Sequence, residues 1–565
     1  MNNIKRLINF FRNLNRENIS KLFLLLSASI FVFTACILLI VSIGFAIKVP
    51  MASWQIIVSL LITLLIQYIF TSYYFKENRL KKFINISLFF LLILSICILI
   101  GSSFYDLSWD GQTYHQEAII QLYNGWNPFY SETPNNLYSI WLEHYPKTLE
   151  ILAASLYKLT GSIEAGKAFN ILFIIATFLI SLSFFMNFKK INIIVAIVTS
   201  LIIAMNPVSI YQSLTYYVDG ILASLIASFL IIIILIYIHS DRILLGLLFA
   251  ILLVLINIKF TALIYSIVFT IGFLILLIIK KYSSIIKKFS IISVLSFSFL
   301  FSILFIGFNP YVTNSIKHKN PFYPINKIDI ITGNTPVYFL KMNRFESLIY
   351  SILAQTDNNL PGDKLKLKIP FTFMNENYWF NCADVRTGGF GPLFSGIILI
   401  FLILLLSSII LIIINHEFEI LKLFFFIILT ILVSVFTIPP TWWARYIPQL
   451  WLLPICIIPV IIHLNNRVLK IGSYLLIGVF LVNIYIIASI NLKANLHNTQ
   501  TLKYQLKKIA ALDKVVDVYF GDFYSNRIRF EKLGIRFHEF ETEKELKYKD
   551  KIESIFCSSA KISIP

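Results

Sequence analysis

Charge is scarce in this sequence. Only 14% of its 565 residues are Asp, Glu, Lys or Arg, against about 25% in a typical soluble domain. Most of the length cannot be a solvated surface, so an ordinary soluble fold is excluded. Cysteine is scarcer. Cys36, Cys97, Cys382, Cys456 and Cys557 lie far apart, which gives neither a disulfide framework nor metal-ligand spacing. Cys382 and Cys557 are the one pair that can share an outer compartment. The sequence has no P-loop, no dinucleotide fingerprint and no serine nucleophile elbow. A cytoplasmic nucleotide site is therefore unsupported. No sequence repeat of fixed period is present. Acids are few: 29 against 48 basic residues, a formal net charge of +19. The basic residues are scattered through short loops, without a stripe or a recognition motif, which argues against a nucleic-acid partner. They fit the positive-inside rule and attraction to anionic membrane lipid.

What is abundant is apolar length. Hydrophobic residues make up 58% of the chain, and the mean hydropathy is +0.79. A spanning helix needs roughly 20 apolar residues, and many stretches supply them. Ile, Leu and Phe dominate without the alternation of a membrane barrel. The expected fold is an all-α polytopic membrane protein of about 13 transmembrane helices. Residues 1–490 form the membrane domain. Its first outer loop covers 105–166 and its long outer loop covers 309–391. Residues 491–565 are charged and lack a span. Val515–Phe520 and Ile535–Phe540 read as strands, Asp522–Leu533 as a helix and Gly534 as its C-cap. A small α/β appendage is expected there, too short to build a sizeable core alone.

Charge sets the orientation. Lys5, Arg6, Arg12, Arg16 and Lys21 precede a first apolar run that is too long for a signal peptide. Lys76, Arg79, Lys81 and Lys82 follow the second span, and Lys189, Lys190, Lys280, Lys281, Lys287 and Lys288 mark later turns. The N-terminus is thus expected in the cytoplasm. The first outer loop, the long loop and the C-terminus are expected outside.

The first long break in the apolar pattern is 105–146, and the chemistry is expected there. Asp106 and Asp110 stand where the third span ends, with Tyr114 and His115 one turn on. Ionisable residues at a span end commonly serve function. Asp110 fits a general base or a ligand to a divalent ion. It equally fits a helix N-cap, and spacing alone does not choose. Asp106 reads as a cap or interfacial residue. His144 and Lys147 flank Pro146 at a helix start, and either faces the Asp110 cavity or is structural. Asp219 opens the sixth span. Lys259 and Arg445 are outer-boundary cations that either snorkel or bind phosphate.

The order of these features resembles the GT-C superfamily of integral membrane glycosyltransferases, in its protein O-mannosyltransferase and lipid A aminoarabinose transferase branch. Trp109-Asp110-Gly111-Gln112-Thr113-Tyr114 takes the place of that family's acidic first-loop motif, with Gly111 where a second carboxylate is usual. Gly125 to Pro128, His144-Tyr145-Pro146, Tyr216 to Asp219, Asn320-Pro321-Phe322-Tyr323-Pro324 and Arg445-Tyr446 follow in the family's order over about residues 83–465. The resemblance implies a polyprenyl-phosphate sugar donor and a glycan, lipid or protein acceptor. Asp110 would be the catalytic base. Lys259 and Arg445 would hold the donor phosphate, and Asp106, Tyr114, His115, His144, Lys147 and Asp219 would line the acceptor side or cavity. A bacterial inner (plasma) membrane is the expected location, with transfer on the extracytoplasmic face. Two rivals stand beside this reading. One is an O-antigen polymerase or ligase-like enzyme. The other is a flippase or transporter for polysaccharide or lipid-linked sugar, which would place functional charges near the bilayer midplane.

Overall fold

The structure is a computed structural model. It describes residues 15–134, 138–239, 241–279, 285–325, 333–358, 364–373, 376–546 and 552–564. Lys5, Arg6, Arg12, Lys280 and Lys281, used above for orientation, lie outside the described residues, as do parts of the 309–391 loop.

Among the described residues, nine helices are long and apolar enough to cross a membrane. Three form the interior: Arg16–Ala46, Ile163–Met186 and Asp219–His239. Their apolar windows are 72–83% buried within the protein, whereas Arg79–Ser103 is only 22% buried. That contrast separates helices packed on protein from helices whose Leu and Ile side chains face outward, as a lipid-contacting helix requires. Four shorter apolar helices, Ile193–Ala204, Arg242–Ile256, Lys422–Thr437 and Pro448–Leu464, lie at the other segments read as spans.

Local chemistry sets the helix ends. The side chain of Asn15 accepts from Asn18 N–H to start the first helix, and Asn466 accepts from Val468 and Leu469 N–H to start the last. The loop between Ser103 and Ile163 contains two helices, at Gln116–Tyr123 and Thr148–Thr160. Gly161 follows the second of these with φ +66°, the left-handed conformation that closes a helix without Cβ strain.

The C-terminal region is a four-stranded sheet of order β2-β1-β4-β3. Strand β1 (Val516–Tyr519) pairs parallel with β2 (Phe537–Glu539) across the short helix Arg527–Lys532. Strand β4 (Lys561–Ser563) runs antiparallel to both β1 and β3 (Ile552–Ser554). The expected helix over 522–533 is shorter than its composition suggests, because Tyr524–Asn526 forms a separate tight turn. The sheet does not make its core alone. Val516, Val518, Phe530 and Ile562 pack on Leu502, Leu506 and Ile509 of the helix Arg467–Ala510. That helix runs unbroken from the apolar span into the appendage, so the two parts share one rigid element.

Candidate active site

The loop that follows Ser103 becomes helical at Trp109. Asp106, not Asp110, supplies the turn before it. Asp106 Oδ1 accepts from Ser108 N–H at 2.9 Å and from Ser108 Oγ–H at 2.6 Å, and Oδ2 accepts from Tyr216 N–H at 2.9 Å. Asp106 is fully buried. Burial pushes its carboxyl above the usual range, against the pull of Lys167 and the Ser108 hydrogen bonds. It fastens the loop to the segment at Tyr216 and does not line the cavity, contrary to the cavity role expected for it.

Asp110 behaves differently. Its backbone is helical (φ −58°, ψ −34°) and its side chain makes no capping hydrogen bond. The capping alternative is thereby removed. A π-helical turn, Gly111–His115, follows at once. Such turns often sit at functional sites, since one extra residue re-aims the neighbouring side chains. Gly111 is required sterically: a Cβ there would stand 1.9 Å from Asp106 Oδ2 and 2.5 Å from Ser108 Oγ. A second acidic side chain beside Asp110 therefore has no room.

Asp110 faces a cavity of about 820 Å³. Tyr114, His115, Lys147, Lys259 and Arg445 also line it. Arg445 organises the polar floor. Its Nη2 lies 3.3 Å from Asp110 Oδ2, its Nη1 donates to Asp384 Oδ1 at 2.9 Å, and its Nε stands 2.9 Å from Asp219 Oδ2 without hydrogen-bond alignment. Lys259 Nζ donates to the other Asp219 oxygen, and Gln212 donates to Asp219 Oδ2 at 3.2 Å. The two cations are thus not free at the membrane boundary. They are anchored on the buried Asp219, which lies behind the cavity wall and does not line it. Burial works against the Arg445 charge, but three carboxylates hold the guanidinium protonated. Burial also raises the Asp384 carboxyl, opposed chiefly by Arg445. Rings of Tyr217, Trp443 and Tyr446 lie 4.7, 5.1 and 5.7 Å from the guanidinium. Each adds cation–π attraction and excludes water.

A guanidinium has five N–H donors. Three here face three different carboxylates, none in a bidentate pair. The other two are not paired with these carboxylates, and Arg445 and Lys259 both line the cavity and both contact Asp219. Among the described residues, no group of three or more His, Cys, Asp or Glu side chains is arranged to hold a metal ion. The three aspartates instead surround a guanidinium. Compared with known proteins, the chain matches no family model, no curated protein and no solved structure.

The remaining expected residues divide. His115 Nδ1 and Glu150 Oε1 are 2.5 Å apart in the cavity wall. Tyr114 stacks obliquely on His115, its phenol pushed up by burial and by the nearby Asp110 charge. Lys147 reaches the cavity, but its Nζ donates to the carbonyls of Glu143 and Tyr145 and to Asn309 Oδ1 at 3.1, 2.7 and 2.6 Å. His144 points elsewhere: its Nδ1 lies 2.7 Å from Asn314 Oδ1, its ring packs edge-on to Tyr323, and it does not line the cavity. All five cysteines are free, including Cys382 and Cys557 in the cavity wall.

Sequence reasoning missed Asp384, and it missed the part played by the C-terminal domain. That domain grips the turn after Asp110. Ser525 Oγ–H donates to the Gln112 carbonyl at 2.7 Å, Asn526 Nδ2 donates to Gln112 Oε1 at 3.1 Å, and Gln112 Nε2 donates to the Cys557 carbonyl at 2.9 Å. Arg527 forms a fork on Glu117 at 2.7 and 2.9 Å. Arg529, buried, donates to the Asp106 carbonyl at 2.6 Å and to Glu164 Oε1 at 3.1 Å.

Proposed function

We propose that the protein is a membrane glycosyltransferase of GT-C type. It moves a sugar from a polyprenyl-phosphate donor to an acceptor on the extracytoplasmic face. One observation carries this reading: an uncapped carboxylate, Asp110, shares a cavity of about 820 Å³ with two cations suited to a phosphate. In the proposed step the acceptor hydroxyl or amine attacks the anomeric carbon. Asp110 takes the acceptor proton. The bond from that carbon to the phosphate oxygen breaks, and its electron pair leaves with the lipid phosphate. Lys259 and the two uncommitted N–H groups of Arg445 stabilise the charge that develops there. At rest Asp110 is ion-paired with Arg445. A donor phosphate competes for that guanidinium and so frees the carboxylate as the acceptor arrives.

This reading includes about thirteen spans, the nine long helices together with the four shorter ones, and a cytoplasmic N-terminus in a bacterial inner membrane. The cavity, beside the loop that follows Ser103 and near the start of the span at Asp219, favours transfer over flipping. A flippase would hold its charges near the bilayer midplane. A polymerase or ligase would use the same site with a longer acceptor. The test is mass spectrometry of lipids that copurify with the full chain, followed by incubation with cell-envelope acceptor. A bound lipid-linked sugar that is released as polyprenyl phosphate supports the reading. Preparations that bind no lipid-linked sugar, and leave an added one intact, contradict it.

A further inference from the structure

A second cavity of about 440 Å³ lies between the first outer loop and the C-terminal domain. Thr113, Glu117 and Tyr138 form one wall, and Tyr519, Asp522, Glu539 and Glu541 belong to the other. Thr113 and Tyr138 line the reaction cavity as well, so the two spaces meet at a shared wall. The Tyr138 phenol faces both sides. Burial pushes it up to about 12, with further contributions from a hydrogen bond to Asp522 in the second cavity and from the Asp110 charge in the first.

The two linings differ in charge. The reaction cavity mixes the cations Lys147, Lys259, Arg386 and Arg445 with the carboxylates Asp110, Glu150 and Asp384. Among the described residues, no Lys, Arg or His lines the second cavity, and four carboxylates do. Glu117 is neutralised by Arg527, so Asp522, Glu539 and Glu541 set the potential. An anion such as a donor phosphate is repelled there. Tyr138, Tyr519, Tyr524 and Phe540 add aromatic faces. Flat aromatic faces beside carboxylate acceptors suit a sugar ring, whose C–H face stacks while its hydroxyls donate. The volume falls within the range of small-ligand sites.

We propose that this second cavity is a binding subsite for a polyhydroxylated acceptor segment without negative charge, a glycan presented to Asp110 across Thr113 and Tyr138. The subsite rests on the transferase reading for its role, and its binding can be measured without turnover. The C-terminal domain is then half of the acceptor site.

The test uses the full chain in nanodiscs without donor, with saturation-transfer NMR and calorimetry. Three probes are compared: N-acetylated chitotriose, its deacetylated amine form, and a sulfated trisaccharide. The neutral trimer and the amine form bind, the amine more tightly, and the sulfated probe does not. Asp522→Asn reduces the amine's advantage, since Glu539 and Glu541 remain, and Tyr519→Ala weakens both by about 10-fold, the value of one ring contact. The intact fold of each variant is checked by limited proteolysis of the full chain alongside the wild type. Equal binding of the sulfated probe, no binding of either uncharged or amine probe, or unchanged binding in both variants would each overturn the subsite. A protein that binds the trimer but turns over no lipid-linked sugar keeps the subsite and loses the transferase reading. One that turns over donor but binds no trimer does the reverse.

Discussion

Arg529→Met isolates the contribution of the C-terminal domain to the geometry of Asp110. Arg529 is 3% exposed. Its guanidinium joins the Asp106 carbonyl, Glu164, Gln112 and Asn526. Methionine keeps the bulk and removes every one of these bonds. Glu164 retains Lys167 and the Asp106 N–H, which donates to it at 3.0 Å. Breaking a buried pair from one side costs about 3–5 kcal/mol. The surviving Lys167 places this case near the lower end, at about 3 kcal/mol. That is about 10²-fold in the population of the undocked domain. Amide hydrogen exchange at Val516–Tyr519 and at Gln112 reads it directly, and both should speed up by about that factor. Arg529→Lys keeps the charge without the fork and should fall between. If Arg529→Met exchanges at the wild-type rate, the domain is not held by this contact, and the positioning claim fails.

Three further outcomes follow from the same geometry. Arg445→Lys cannot face Asp110, Asp219 and Asp384 at once, so donor KM should rise about 10-fold or more with an unchanged helical circular-dichroism spectrum; wild-type donor KM would refute the clamp. Burial pushes the Lys147 amine down to about 7. The unfolded chain then binds the extra proton between about pH 7 and the ordinary lysine value near 10.4, so stability should rise with pH across that window in the wild type relative to Lys147→Met; parallel thermal curves for the two proteins would contradict this. Cys557 is exposed in the C-terminal domain, and a membrane-impermeant thiol reagent should label it from outside in intact cells, whereas Lys190→Cys should label only after permeabilisation; the reverse pattern would invert the topology.

Nine long apolar helices, among the described residues, were legible because a helix in lipid must carry about 20 apolar residues in one stretch. Asp110, Asp219, Lys259 and Arg445 stood out for a related reason: each is a charge at the end of an apolar segment. The fold brings all four together, but Asp219 lies behind the cavity wall and not in it as expected. Asp384 was not legible. It sits in a polar loop among other acids, and its importance comes from Arg445, 61 residues later. The contact between Arg529 and Gln112 spans 417 positions, beyond the reach of any local pattern. The helix expected over 522–533 shortened because Ser525 and Asn526 turn their side chains onto Gln112. Strands β3 and β4 have three residues each, too short for an alternation to register. Asp106 and Asp110 look alike in sequence. Only the three hydrogen bonds accepted by one carboxylate, and the absence of a cap bond from the other, separate an anchor from a candidate base.

Asp110→Asn tests the central claim most directly. The substitution preserves size and loses no capping bond; it removes one of three carboxylates facing Arg445, which keeps Asp219 and Asp384, so the fold should persist with a modest loss of thermal stability. Asparagine cannot accept the acceptor proton. With lipid-linked sugar and acceptor both saturating, single-turnover transfer should fall by about 10²-fold or more, while donor binding persists. Asp106→Asn is no neutral control, because its amide would face the Tyr216 N–H and destabilise the loop. The matched control is thermal stability of the Asp110→Asn protein itself. Transfer at the wild-type rate by a stably folded Asp110→Asn protein would contradict the assignment of Asp110 as the base.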